Sequence, residues 1–230
     1  MKKCTTLLVI VTLSLSMVYL SSCNREDSID VNQDRIYTLY ELNYDANAEK
    51  TIAKATFRMG GAYDSKIKLS EGSSVTFNDT ELSFNGIYAY YTEDFSEWID
   101  SGTFVFKDLD GNEYTNSVDM LYAEFPEELD TIVQGEPFLF YWDGDPLTVN
   151  EEIILTVDGP LEKDTKRFYV SEEGADYIEL TSTETATLSK GASILALERK
   201  YETASVDAPS VGGKIISEYK AASHATNVFE

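Results

Sequence analysis

Apolar and polar residues alternate with a period of two along most of this chain. Between residues 36 and 44 the large apolar side chains fall mostly on even positions, and between residues 51 and 59 they fall mostly on odd positions. Successive side chains of a strand point to opposite faces of a sheet. The pattern is therefore typical of antiparallel strands with one face in a core and the other in water.

The same signal predicts strands along the rest of the chain. Further predicted strands cover residues 75–77, 82–84, 103–107, 113–118, 138–142, 152–157, 167–170, 177–181, 193–199 and 214–219. The segments 78–79 and 108–112 carry Asn, Asp and Gly between two such runs and predict hairpin turns. Only residues 93–99 and 220–224 are candidates for short helices.

The strand order predicts an all-β fold with two tandem antiparallel β-sandwich domains, 35–122 and 123–230. Pro126 marks the break between them, because proline interrupts strand pairing. The abundance of Tyr (15) and Phe (11) is also typical of strands. Since no internal repeat divides the chain, one larger β-sandwich or barrel is the alternative.

The first residues follow a different pattern. Lys2 and Lys3 precede an apolar run over residues 7–20 that only hydroxyl-bearing residues interrupt. The run is shorter than the roughly 20 apolar residues that a membrane-spanning helix needs. A basic start followed by a short apolar run is typical of a secretory signal.

The apolar run ends in Leu20-Ser21-Ser22-Cys23, which resembles the lipobox of Gram-negative bacterial outer-membrane lipoproteins. The resemblance implies a signal peptide of residues 1–22, acylation of Cys23, for example with palmitate, and anchoring to the outer membrane. Several acyl chains on one residue suffice for stable anchoring. Cys4 lies in the signal, so Cys23 is the single cysteine of the mature chain and no internal disulfide is expected.

Residues 23–34 are polar and acidic and predict a flexible tether. Glu26 and Asp27 within it resemble the export signals that send some of these lipoproteins to the cell surface, which implies a chain that faces the cell exterior. The lipobox together with the strand spacing resembles exported lipoproteins with tandem immunoglobulin-like domains. That resemblance rests on no domain-specific motif.

The charge of the chain excludes one class of partner. The whole sequence has 18 basic and 41 acidic residues. Removal of residues 1–22 leaves 16 basic residues and a net charge of −25. Nucleic-acid binding needs a basic face that displaces counterions, so we expect no nucleic-acid partner.

One acidic turn is a candidate calcium site. Asp108, Asp110 and Asn112 have the spacing that opens a calcium loop. The positions that an EF-hand fills with Gly and Glu hold Glu113 and Asp119, and the flanks are predicted strands. A hairpin turn is the competing interpretation, and we expect no other cofactor.

No pattern of residues predicts a catalytic site. The single histidine, His224, lies six residues from the C-terminus, and no Gly-x-Ser-x-Gly motif is present. Zinc is disfavoured because one histidine and no free mature cysteine cannot build a usual site. The many acidic residues leave a carboxylate-based hydrolase as an alternative function.

Aromatic residues between positions 87 and 98 are candidates for binding. Tyr88 and Tyr90 share one face of a strand, and Trp98 follows. Exposed rings beside carboxylates suit stacking on sugars or docking of a protein. In the competing interpretation the two tyrosines pack inside and Trp98 closes the end of a sandwich.

Two short motifs resemble the Asp-[Ser/Thr]-apolar sequon of O-glycosylation in some exported Gram-negative proteins. They place candidate glycans on Ser28 and Thr131. The sequence as a whole predicts a non-enzymatic, lipid-anchored envelope protein that acts in binding, adhesion or assembly, with an envelope protein or a glycan as its partner. A glycan-binding accessory lipoprotein of a transport or degradation system is the first alternative.

Overall fold

The protein is described by a computed structural model that covers residues 26–230. Its strands are β1 (Ile36–Asp45), β2 (Lys50–Met59), β3 (Lys66–Ile67), β4 (Ser74–Phe77), β5 (Thr80–Glu81), β6 (Ser83–Asn85), β7 (Tyr90–Phe95), β8 (Ser101–Lys107), β9 (Glu113–Asp119), β10 (Ile132–Val133), β11 (Phe138–Tyr141), β12 (Glu151–Asp158), β13 (Lys166–Val170), β14 (Tyr177–Leu180), β15 (Gly191–Ala204), β16 (Gly213–Lys220) and β17 (His224–Phe229). The helices are the single turn α1 (Ser182–Thr185) and the 3-10 turns Ser28–Asp30, Gln33–Arg35 and Glu162–Asp164. The fold is all-β, as the sequence predicts.

One long sheet forms the backbone of the fold. Its strands follow the order β10-β17-β15-β16-β1-β2-β7-β6, with β12 and β13 added along β15 and β3 added along β2. The neighbours are antiparallel except for β1 with β16 and β10 with β17. The sheet ends in strands that have one neighbour each, so it is open.

The predicted alternation decides which face of this sheet is buried. In β1 the even positions from Ile36 to Leu42 are buried, and in β2 Ala53 and Phe57 face the same way. The four-stranded sheet β5-β4-β8-β9 covers this face. Aromatic side chains of this smaller sheet pack against the long sheet, and Phe104 of β8 stacks on Tyr40 of β1 with 4.9 Å between the ring centroids.

The second half repeats this arrangement with other strands. Ile153 and Leu155 of β12 are buried, and the two-stranded sheet β11-β14 contributes Phe138 and Leu180 to the same contiguous core. Trp142 is buried, and its indole N–H donates to the carbonyl of Asp145 at 3.2 Å.

The long strand β15 belongs to both halves. One edge of β15 pairs with β12, and its other edge pairs with β17 and then with β16. Strand β16 continues in parallel register along β1, from Thr38–Gly213 to Asp45–Lys220. The strand pairing therefore crosses the predicted boundary between residues 122 and 123, and the division into domains 35–122 and 123–230 stays a prediction.

A buried ion pair lies where the two halves meet. Arg199 of β15 and Glu151 of β12 are almost fully buried, and their charged groups lie 2.7 Å apart. The Arg199 guanidinium also donates to the backbone carbonyls of Tyr122, Asp145 and Pro146. One arginine therefore holds together the segment between the two halves and a loop of the second half.

Two local predictions were wrong, and a third was right only in part. No helix forms at 93–99: residues 91–95 pair along β2 with Tyr91 inside, and residues 96–99 lie in the connection to β8. The helix expected at 220–224 is the short connection from β16 to β17. The turn at Asn78-Asp79 is present with positive φ at both residues, but it joins β4 to β5, while residues 83–85 pair with β7.

The described part of the predicted tether packs on the fold. Ser28 is buried, its N–H donates to the Lys68 carbonyl at 2.8 Å, and its hydroxyl accepts from the N–H of Ser70 at 2.8 Å. The side chain of Gln33 donates to the Ser28 carbonyl at 2.8 Å and fixes the segment a second time. From residue 26 onward these contacts replace the flexibility that composition predicts for 23–34.

The predicted signal peptide, residues 1–22, and Cys23 lie outside the described residues. Across residues 26–230, no helix combines the length and the apolar character that a membrane crossing requires.

Candidate functional site

Tyr88 and Tyr90 form a stacked pair on the outer face of the long sheet. Their ring centroids lie 5.8 Å apart and their planes differ by 6°. Tyr88 is 61% exposed, and Tyr90 is partly buried at the start of β7. We call this pair the tyrosine platform, because its two rings are nearly parallel and that of Tyr88 is largely open to solvent.

Local chain geometry explains why both rings point outward. Asn85 ends β6, and its side-chain oxygen accepts from the N–H groups of Ile87 and Tyr88 at 3.1 and 3.2 Å. Ala89 takes a left-handed conformation with φ 56°. This turn breaks the alternation before β7, so Ile87 is exposed although the strand pattern assigns it to the buried face with Ala89.

Two lysines from neighbouring strands flank the platform. The ammonium groups of Lys54 and Lys66 lie 5.3 and 5.9 Å from the centre of the Tyr90 ring. Lys66 also donates to the Tyr88 carbonyl at 2.9 Å, while Lys54 forms an ion pair with Glu41 at 2.8 Å. Sequence reasoning missed both lysines, because only strand pairing brings β2 and β3 beside β7.

Trp98 does not belong to the platform. Its ring packs against Tyr44, Tyr122 and Tyr219 at centroid distances of 6.3, 6.1 and 5.9 Å. Tyr219 is buried and donates its hydroxyl to Glu124, and burial and this carboxylate raise the pKa of Tyr219 above its ordinary value. The structure therefore separates the three aromatic residues that the sequence proposes as one site.

The outer face beside the platform carries a network of exposed ion pairs. Lys50 pairs with Asp94 at 2.5 Å, and Lys214 pairs with Glu202 at 2.5 Å. Within this network, burial raises the pKa of Glu218, and the negative charge of Glu198 adds to the effect. Many of the few basic residues of an acidic chain thus lie on one face.

The candidate calcium residues form a closed hairpin turn. Asp108 is buried, and its carboxylate accepts from the backbone N–H of Asn112 at 2.8 Å and from the Asn112 side chain at 2.9 Å. The hydroxyl of Tyr114 also donates to it at 3.4 Å. Asp110 is exposed at the tip. Among residues 26–230 no group of three or more His, Cys, Asp or Glu side chains is arranged to hold a metal ion.

The two candidate glycosylation sites differ in accessibility. Thr131 is exposed, so its glycosylation stays a prediction. Ser28 is 0% exposed and its hydroxyl is occupied by Ser70. The folded chain does not present that hydroxyl to an enzyme, contrary to the accessibility that the sequence predicts.

His224 lies at the start of β17, and its ring packs against Phe125 at 5.4 Å between centroids. This contact gives the histidine a place in the packing of the second half.

Comparisons with known proteins complete the description of the site. Neither a protein-family model nor a curated protein sequence matches the chain. Among solved structures, the chain is similar to the FN1–FN3 domains of chicken CNTN1, with 7% identity, a TM-score of 0.29, and coverage of 83% of this chain and 67% of that one.

Two bacterial structures are also similar. One is SGBP-B of the mixed-linkage glucan utilization locus of Bacteroides ovatus in complex with a heptasaccharide, with 10% identity, a TM-score of 0.24, and coverage of 85% and 60%. The other is a 1.5-MDa bacterial ice-binding adhesin, with 10% identity, a TM-score of 0.22, and coverage of 86% and 66%. The chain spans about two thirds of these structures or less. All three TM-scores lie below 0.5, and the all-β fold class rests on the strand pairing itself.

Proposed function

We propose that this chain is a non-enzymatic binding protein of the bacterial cell envelope, anchored by lipid at Cys23, which uses the tyrosine platform to bind a glycan. The observation that carries the proposal is the parallel stacking of Tyr88 and Tyr90 on an exposed sheet face. The carbohydrate ligand stacks its apolar faces on the two rings. Sugar hydroxyls next to the rings accept hydrogen bonds from Lys54 and Lys66.

The geometry of the platform supports a role in binding. An exposed tyrosine pair adds little to the stability of the fold, because its rings fill no core. For a ligand, the same rigid rings offer a large contact area at a low cost in side-chain entropy. Tyr90 is held on one side by two ammonium groups, which fix the ring before a ligand arrives. Such preorganisation reduces the entropy that binding must overcome.

The first experiment is a binding measurement with the purified chain from residue 24 onward on an array of envelope and host glycans, followed by calorimetry on each hit. We expect Tyr88→Ala to raise Kd about tenfold, because loss of one aromatic contact costs roughly 1–1.5 kcal/mol. Tyr63→Ala is the control, since Tyr63 is an exposed tyrosine (99%) in the connection between β2 and β3. Equal losses in both variants, or no binding to any glycan, would contradict the proposal.

The lipid anchor has a separate test. In intact cells, we expect a Cys23→Ala variant to leave the membrane fraction. Protease added to sealed cells should cut the wild-type chain if it faces outward. A Cys23→Ala chain that stays with the membrane would exclude acylation as the anchor without touching the binding proposal.

A further inference from the structure

A second exposed aromatic surface lies in the other half of the molecule. Tyr141 of β11 and Tyr177 of β14 are directly opposite in the pairing register, with ring centroids 5.3 Å apart. They are 52% and 40% exposed. Their neighbours Phe140 and Ile178 are buried, so these two rings stand on the outer face of the small sheet.

A cleft of ≈ 370 Å³ opens between this surface and strand β13. Tyr169 and Tyr177 line it on opposite sides, and three acidic side chains, Glu172, Glu173 and Glu179, complete its rim. All three carboxylates are exposed. Across residues 26–230 none of them forms an ion pair.

Both strands that border the cleft are edge strands. Within residues 26–230, β13 pairs only with β12, and β14 pairs only with β11. An edge strand presents unpaired N–H and C=O groups, which can pair with an added strand of another chain. A loop held by the hydrogen bonds between Leu147 and Ala175 and between Gly174 and Leu147 keeps the end of the cleft in place.

We propose that this cleft binds an extended basic segment of a partner protein, which pairs with one of the two edge strands. Alternate side chains of an added strand point the same way, so every second residue of the partner enters the cleft. There a lysine or arginine meets the faces of Tyr169 and Tyr177 and the three unpaired carboxylates. Aromatic faces attract cations, and the attraction adds to the charge complementarity.

The proposal goes beyond the glycan site, because it concerns other strands, the opposite charge and another class of ligand. The platform carries lysines beside its rings, whereas the cleft carries glutamates. A chain with both sites joins a glycan to a protein in one complex.

The test uses the purified chain and a fluorescein-labelled octapeptide of alternating lysine and valine, followed by fluorescence anisotropy. We expect saturable binding that weakens with added salt. The triple variant Glu172→Gln, Glu173→Gln, Glu179→Gln should raise Kd at least about tenfold, since three exposed charge contacts are lost together. Tyr177→Ala should raise it by a similar factor.

Controls separate this site from the overall negative charge. The triple variant Glu71→Gln, Glu127→Gln, Glu128→Gln removes three equally exposed carboxylates elsewhere and should leave Kd within about twofold. Tyr88→Ala should also leave it unchanged. A peptide with prolines in place of its central valines should bind more weakly, because it lacks the N–H groups of an added strand.

Three results would overturn the proposal. The first is that the peptide does not bind. The second is that the two triple variants lose affinity equally, which would assign the binding to the overall negative charge of the chain. The third is that a neutral oligosaccharide binds in a manner that Tyr177→Ala abolishes, which would make the cleft a sugar site.

Discussion

An ion pair and an aromatic contact occur both at the junction of the halves and on the outer face of the long sheet, but they are more deeply buried at the junction than on the outer face. At the junction, Arg199 and Glu151 are buried and the ring of Trp98 packs against Tyr219. On the outer face, Lys54 pairs with Glu41 in contact with water, and Tyr88 stacks on Tyr90. Burial makes the first set structural, and exposure leaves the second set available for a ligand.

The largest expected effect separates the two ion pairs. Arg199→Met removes the cationic partner of the buried Glu151 carboxylate, which keeps the N–H of Thr148 as a donor. It also removes a donor from three backbone carbonyls, of which that of Asp145 keeps the indole N–H of Trp142. We expect the free energy of unfolding to fall by about 3–5 kcal/mol in urea denaturation. Lys54→Met breaks a pair that is still in partial contact with water, and it should cost at most about 1 kcal/mol. Similar losses for both variants would remove the contrast between the junction and the outer face.

The aromatic contacts give the next contrast. Trp98→Ala removes a half-exposed ring that packs against three tyrosines, and we expect it to cost about 2 kcal/mol, roughly half of the loss at a fully buried site. Tyr88→Ala should cost about 0.5 kcal/mol or less. Thermal unfolding of both variants measures the difference. If Tyr88→Ala proves the more destabilising, the platform is structural and its role in binding loses its basis.

Alkaline pH tests a buried tyrosine against the exposed ones. Burial raises the pKa of Tyr91 to about 12, although its hydroxyl accepts from the N–H of Leu69 at 2.8 Å. In the unfolded chain this hydroxyl loses its proton near pH 10. The folded state therefore holds more protons above pH 10, and the free energy of unfolding should fall as the pH rises from about 10 to 12.

Tyr91→Phe should reduce this alkaline slope, and at neutral pH it should cost about 1 kcal/mol through the lost hydrogen bond. Urea midpoints at pH 8, 10 and 11 measure both quantities. An unchanged slope would assign the alkaline loss to other buried tyrosines, such as Tyr40, whose pKa is raised by burial as well.

The smallest expected effect concerns Glu218 on the outer face. Its pKa is raised by burial and then by Glu198, so the folded state disfavours the charged form. The free energy of unfolding therefore decreases as the pH rises through this raised pKa. Glu218→Gln should stabilise the protein by about 0.5 kcal/mol at pH 7 and change little near pH 4. Destabilisation at pH 7 would show that the lysines beside Glu218 outweigh its burial.

Much of the fold could be predicted from local alternation. Strands β1 and β2 appear within one residue of the expected bounds, because a half-buried strand leaves a clear period of two. Strand β7 was predicted only at its start, where Tyr88 and Tyr90 were placed on a strand, because Glu93 interrupts the apolar face that Tyr91 and Phe95 share. The pairing of β16 with β1 joins residues far apart in sequence, which no local pattern encodes.

The candidate site could be predicted only in part for the same reason. The period of two placed Tyr88 and Tyr90 on one face, and the structure stacks them. The alternation of residues could not reveal that Lys66, from another strand, lies beside Tyr90. It also could not show that Trp98 lies away from the platform. Likewise, Tyr141 and Tyr169 meet their neighbours through strand pairing, so the second cleft has no linear motif.

The docking of residues 26–28 on Lys68 sets how far the folded body can stand from a membrane. The Glu26 carbonyl already accepts from the N–H of Lys68 at 3.2 Å, and the three peptide units from Cys23 to Glu26 span at most about 11 Å when extended. If Cys23 is acylated as the sequence predicts, the body is held within that distance of the lipid surface, with the Glu26–Lys68 contact nearest to it. Such a protein would meet only those ligands that come close to the membrane, and it would present its platform and its cleft at a nearly constant height.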